Sequence, residues 1–324
     1  SRQYAEEKLD VASNRDEIRD AHSTYYLTTL AERAHEIFGR NGHDLLDRIE
    51  TDIENVRAAW KWAVKRGQAQ LLRGAAKVLD IYFDLRGQSD QADILFDAAE
   101  ESIRALPASP ERDAALGTVI GAHCRLLISA RVPTKSKTLL DQMTALLNEA
   151  WTPFEKVFYA ETIASYELIF GDPTAIRGTV EGALAEAERH NDLLGQMLCH
   201  ISLSRSYWYR LSGERVDLKL ARHHIDQALA LSDKLGGDLV RLWVLLTLGT
   251  VLGMQNNLAE SERVLRETEA LARKQGNLNA AASALNNLGF MLIGTGRLDD
   301  ARACMEASLS IRREMGNRHA VAWG

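Results

Sequence analysis

The chain has 324 residues, 46% of them hydrophobic and 26% charged, which is too apolar for a disordered chain. A formal charge of -6 and a pI near 5.9 exclude a surface built mainly to hold phosphate backbones, so no direct nucleic-acid partner is expected. The cysteines Cys124, Cys199 and Cys304 are spaced for neither a disulfide framework nor a zinc site, no run of about 18 apolar residues could span a membrane, and Ser1–Glu7 lacks the apolar core of an export signal. A cytoplasmic location is expected, with no membrane contact, metal or cofactor.

The pattern is helical throughout. Leu45, Ile49, Ile53, Val56 and Trp60 recur at helical spacing between Asp44 and Arg66, and Gly67 follows as a C-terminal cap. Ala92, Phe96 and Ala99 mark a further helix after Gly87, and residues 114–147 must supply a degenerate helix pair. Val180, Ala183 and Leu184 form the apolar face of a helix after Pro173. Ser204, Tyr207, Ala221, Ile225, Ala228 and Leu229 repeat the scheme around an enlarged turn at residues 213–217. All five prolines (107, 110, 133, 153 and 173) fall in polar breaks, where a missing N–H does least damage. No alternating strand pattern occurs.

Near the C-terminus the chain repeats itself with a period of 40 residues: Leu248-Gly249 returns as Leu288-Gly289, Leu258 as Leu298, and Gly276-Asn277 as Gly316-Asn317. Such a period marks a helical repeat array, in which each helix pair buries its apolar face only against its neighbours. Leu288-Gly289, Gly296, Ala301, Met305 and Ser308-Leu309, with Ser261 and Leu265 one unit earlier, resemble the tetratricopeptide repeat. A small residue lets two helices approach while a large one fills the groove. The spacing exceeds the usual 34 residues, so each unit carries helices longer by roughly a turn and a half. The expected fold class is all-α: a right-handed superhelical solenoid of about seven antiparallel, tetratricopeptide-like helix pairs.

The first hundred residues do not fit the repeat. Arg2–Leu9, then Ala21-His22, Tyr25-Tyr26-Leu27 and Leu30-Ala31-Glu32, then Asp47-Arg48-Ile49-Glu50-Thr51-Asp52-Ile53-Glu54-Asn55-Val56-Arg57-Ala58-Ala59-Trp60 with Trp62-Ala63, resemble the junction that follows the nucleotide-binding and winged-helix modules of bacterial STAND-type signalling NTPases. Many of these are transcriptional regulators of the LuxR or antibiotic-regulatory type, and tetratricopeptide repeats follow the junction. The resemblance implies a junction over residues 1–105 and a repeat array over 106–324 that is cut short at its C-terminus, where residues 320–324 look like the start of another helix. It also implies an N-terminal NTPase module as partner. The chain itself has no G-x-x-x-x-G-K-[ST] phosphate loop, so no enzymatic activity is expected of it.

Function then rests on recognition. In tetratricopeptide arrays the first helix of each pair lines the concave face, which brings forward Arg205, Trp208, Tyr209 and Arg210. An arginine beside two amphipathic rings suits an anionic or peptide ligand; the alternative is that the rings fill the enlarged turn. Asn286 and Asn287, with Phe290 one turn on, resemble peptide-holding asparagines, whose amides both donate and accept; they read equally as ordinary helix surface. Trp243, Glu161 and Arg125 occupy comparable faces. The nine histidines show no ligand spacing: His35 and His43 are separated by a break, His223 and His224 face different sides, and Cys199-His200 lacks a second pair. The acidic residues Glu50, Asp52 and Glu54 read as a solvated face or as a dock for a basic module. The leading expectation is a sensor that binds a peptide, protein or small-molecule effector in its groove and regulates the NTPase module. The alternative is a free-standing scaffold that grips a peptide or protein segment.

Overall fold

The computed structural model describes residues 13–40, 42–208 and 216–314. Over these residues the chain forms fourteen α-helices and no strand. They are α1 (Arg15–Glu32), α2 (Gly42–Arg66), α3 (Ala69–Arg86), α4 (Ser89–Arg104), α5 (Pro110–Ser129), α6 (Pro133–Ala145) and α7 (Pro153–Phe170). After these come α8 (Arg177–Arg189), α9 (Leu193–Trp208), α10 (Leu218–Leu235), α11 (Asp238–Met254), α12 (Leu258–Lys274), α13 (Leu278–Gly294) and α14 (Leu298–Glu314). A single 3-10 turn, Ala34–Phe38, separates α1 from α2. Residues 209–215 and 315–324 lie outside the described residues, and with them most of the enlarged turn and the segment read as the start of a further helix.

Local signals set the helix boundaries. Pro110, Pro133 and Pro153 each open a helix, where the missing N–H costs nothing. Thr152 and Glu155 close a reciprocal capping box at the start of α7. Gly67 takes φ 64° at the end of α2, as its cap position requires. The 40-residue period also has a plain geometric origin: α11, α12, α13 and α14 are each 17 residues long, and three-residue turns join them.

Within the repeats the small residues do what their spacing suggests. A Cβ on Gly249 would come within 2.7 Å of Leu265, and one on Gly289 within 2.8 Å of Met305. Ser261 donates to the Gly249 carbonyl at that close approach, at 2.7 Å, and Ser308 to the Ala282 carbonyl elsewhere along the α13–α14 pair, also at 2.7 Å, so each buried hydroxyl is satisfied.

The first helices of successive pairs form a closed circuit. α3 packs on α5, α5 on α7, α7 on α9, α9 on α11, α11 on α13, and α13 returns to α3. The 3-10 turn helps to seal the closure by touching both α3 and α11. Phe38 lies 6.0 Å from Trp243, ring centre to ring centre, and a Cβ on Gly237, at the start of α11, would overlap the Phe38 carbonyl oxygen. The solenoid therefore encloses a bore, and one continuous apolar core runs from Leu27 to Val264.

The motif that carries the junction resemblance ties α2 to its neighbours. The Asn55 amide donates to the Tyr26 hydroxyl at 3.1 Å, Arg57 to Gln91 at 2.5 Å, and the buried Trp60 indole to the Leu95 carbonyl at 3.0 Å. Glu50 is engaged as well, accepting from the Tyr82 hydroxyl at 2.9 Å and forming an ion pair with Arg86 at 2.8 Å.

Candidate functional site

The bore holds two connected cavities of about 370 and 230 Å3. Residues of α3, α5, α7, α9, α11 and α13 line them, so the first helix of each of these pairs faces inward. Arg131, in the turn after α5, and Arg312, on α14, are the exceptions; both cavities share them with Arg125, Ser165 and Ser283.

Five of the residues singled out from the sequence meet in the larger cavity: Arg205, Trp208, Trp243, Asn286 and Asn287. They sit on α9, α11 and α13, and Asn287 also donates to Thr250 on α11 at 3.0 Å. Glu161 and Arg125 join them. Phe290 does not line the bore and stands 62% exposed. Tyr209 and Arg210 lie outside the described residues.

Sequence reasoning missed much of the charged wall. Asp80 and Asp84 project from α3 and line the smaller cavity beside Arg125, Arg131 and Arg312. Asp80 is 2% exposed and accepts from Arg125 at 3.0 Å; burial nevertheless pushes its carboxyl up to about 7. Burial also raises Asp84, which accepts from the Ser129 hydroxyl. One turn before Asp80, the Lys77 ammonium lies 3.2 Å from the centre of the Phe154 ring and 4.8 Å from that of Phe158, and burial pulls it down to about 7. A signal was present: Lys77, Asp80 and Asp84 are three and four residues apart, and so share one face of α3.

Glu161 is the most deeply placed acid of the larger cavity. Burial raises its carboxyl; Oε2 accepts from Ser202 at 3.0 Å, and Oε1 has no hydrogen-bond partner among the described residues. On α14, Arg312 is lowered by burial and by the like charge of Arg131, and its Nε has no hydrogen-bond partner among the described residues.

Two histidine clusters lie away from these residues. His200 and His224 face each other across α9 and α10 with their Nδ1 atoms 3.0 Å apart, and burial, then the neighbouring histidines, pushes His200 down to about 4. The buried His123 meets Asp93 at 2.6 Å and Glu100 at 2.7 Å. Asp93, Asp97 and His123 could converge on a cation, but the Lys135 ammonium already lies 2.7 and 2.9 Å from the two aspartates. This group is a buried ion-pair network that links α4, α5 and α6.

The comparisons with known proteins agree with this architecture. A tetratricopeptide-repeat model matches residues 281–319. It covers α13 and α14, the helices that repeat the pattern most faithfully, and the array is a tetratricopeptide-like helical solenoid. Among curated proteins none matches the chain. Tetratricopeptide repeats are interaction modules, and among the described residues no helix is long and apolar enough to cross a membrane.

Proposed function

We propose that this chain is the effector-sensing array of a STAND-type signalling NTPase or transcriptional regulator, and that the bore takes the effector. The NTPase module would lie N-terminal to the junction and answer to the occupancy of the array. One contact carries the reading. Trp243 lines the larger cavity and also packs on Phe38 of the 3-10 turn, so a molecule in the bore and the junction segment act on the same side chain. A ligand that prefers one closure of the ring would shift the junction between two arrangements by its difference in affinity for them. The resemblance of Asp52–Trp60 to the junction of that family supplies the direction in which the signal would travel.

The test uses a protein in which this array follows its NTPase module. Deleting everything after Asp44 should change basal NTPase or transcriptional output, while the array alone should hydrolyse no ATP, having no phosphate loop. Equal output with and without the array would reject sensing. It would leave the scaffold reading, which the side-by-side Asn286 and Asn287 on the bore wall favour as grips for a peptide backbone.

A further inference from the structure

We infer that Lys77 is a carbonyl-reactive amine that captures a small apolar aldehyde from the bore as an imine. The site is independent of the sensing reading, since it depends only on one side chain and the rings around it.

Position comes first. Lys77 stands three residues before Asp80, on the face of α3 that brings Asp80 and Asp84 to the smaller cavity. Phe158 stands three residues before Glu161, which lines the larger cavity, and Phe38 belongs to the turn that packs on the wall residue Trp243. The amine therefore sits where the bore meets its closing turn, and Lys77 keeps partial exposure, so a small molecule can reach it. Its surroundings come second. The ammonium lies 3.2 Å from the centre of the Phe154 ring, 4.8 Å from that of Phe158 and 5.9 Å from that of Phe38, and among the described residues it has neither a hydrogen-bond acceptor nor an ion-pair partner. Aromatic faces attract a cation, but they do not replace the hydrogen bonds that water gave it, so burial penalises the charged form. Burial, then the like charge of Arg125 on α5, outweighs Asp192 before α9, Asp80 on α3 and Glu161 on α7, and pulls the amine down to about 7. About half of such amines are neutral at pH 7, against fewer than about one in a thousand at the ordinary lysine value, and the neutral amine is the nucleophile.

The reaction balances with the aldehyde as its only co-reactant. The nitrogen lone pair forms a bond to the carbonyl carbon, and the carbonyl π pair moves to oxygen, which takes up a proton. Both amine hydrogens leave nitrogen and depart with that oxygen as one water molecule, so a C=N bond remains and nothing is oxidised or reduced. The three phenylalanine rings favour an apolar body on the aldehyde.

Reductive trapping tests this. The chain is incubated at pH 7 with benzaldehyde and cyanoborohydride, which converts an imine to a stable benzyl-lysine, and the adducts are located by peptide mass mapping. Lys77 should be labelled roughly ten-fold or more faster than any other lysine. That advantage should shrink as pH is raised towards about 10, where the other lysines also lose their protons, and it should vanish in urea, where the rings no longer surround the amine. Lys77→Met should remove the fast adduct; the wild-type map decides the question alone should that variant fail to fold. Labelling at Lys77 no faster than elsewhere, or an advantage that survives urea or does not change with pH, would each overturn the inference. Acetaldehyde tests the apolar body: the preference for benzaldehyde should be larger at Lys77 than at the other lysines, and Phe154→Leu should reduce it. An equal preference at all lysines would overturn the assignment to an apolar aldehyde.

Discussion

The two walls of the bore are built on different principles. The wall from α11 and α13 is neutral: Trp243, Thr247, Thr250, Ser283, Asn286 and Asn287 stand on helices held by small residues at close approach. The wall from α3, α5 and α7 carries Asp80, Asp84, Arg125 and Glu161, and it is held by polar contacts between residues far apart in sequence, such as Arg125 with Asp80 and Arg73 with Glu155 at 2.6 Å. The neutral wall repeats a nearest-neighbour rule, so each unit stabilises itself against the next. The charged wall depends on pairing between first helices that pack directly, as α3 and α5 do, and its buried ions are costly unless each is matched.

Breaking the charged wall should therefore cost most. Arg125→Met strands the Asp80 carboxylate in the interior and should destabilise the chain by about 3 kcal/mol in urea unfolding at pH 8. Adding Asp80→Asn should restore most of that loss, whereas additive losses would show that the pair is not the unit that matters.

The pH dependence of the wild type sharpens the same point. The Asp80 carboxyl rises from 3.8 to about 7 on folding, so its contribution is present below pH 3.8 and is lost as pH rises towards 7. Lys77 falls from 10.5 to about 7, so its contribution is present above pH 10.5 and is lost as pH falls towards 7. Together the two groups make the least contribution near neutrality. Asp80→Asn should flatten the acid side of the stability profile and Lys77→Met the alkaline side; profiles unchanged by either variant would contradict this account.

The closure comes next in size. Gly237 has φ -86° and ψ 136°, which alanine adopts freely, so Gly237→Ala tests the clash with the Phe38 carbonyl without backbone strain. A loss of about 2 kcal/mol is expected, with faster hydrogen exchange over Ala34–Phe38. Unaltered exchange there would mean that the ring is not sealed at this point.

The neutral wall should respond less. Gly249→Ala gains up to about 1 kcal/mol of helix propensity but presses a methyl group into Leu265, which costs about 1–3 kcal/mol, so a net loss of about 1 kcal/mol is expected on thermal unfolding. Asn287→Ala removes one half-buried hydrogen bond to Thr250 and should cost roughly 0.5 kcal/mol or less. A larger effect from Asn287 than from Arg125 would invert the comparison between the walls.

The site was legible to the same uneven degree. Arg205, Trp208, Trp243, Asn286 and Asn287 could be picked out because a repeat fixes which helix faces inward, and a residue's place in the unit then gives its place in the bore. That rule did not reach Asp80, Asp84, Arg131 and Arg312. The helices α3 and α5 keep no repeat register; Arg131 lies in a turn at φ 62°; and Arg312 belongs to a second helix, where the rule points outward. His123 escaped for a related reason: its acidic partners stand on α4, 23 and 30 residues away, beyond any ligand spacing that one helix displays. Phe290 marks the opposite failure, since one turn along the helix from a cavity residue does not ensure a place in the cavity.

By itself the sequence determined the helices, their ends and the packing of each pair. Those depend on contacts within about 40 residues, and periodicity, caps and small residues record such contacts directly. Only the tertiary structure decided that the array closes on itself, because the small rotation between neighbouring pairs accumulates until α13 meets α3, and no local pattern encodes that sum. Closure also sets Arg312, near one end of the chain, into the cavity lined by Asp80, Asp84 and Arg125, a meeting that no local pattern encodes.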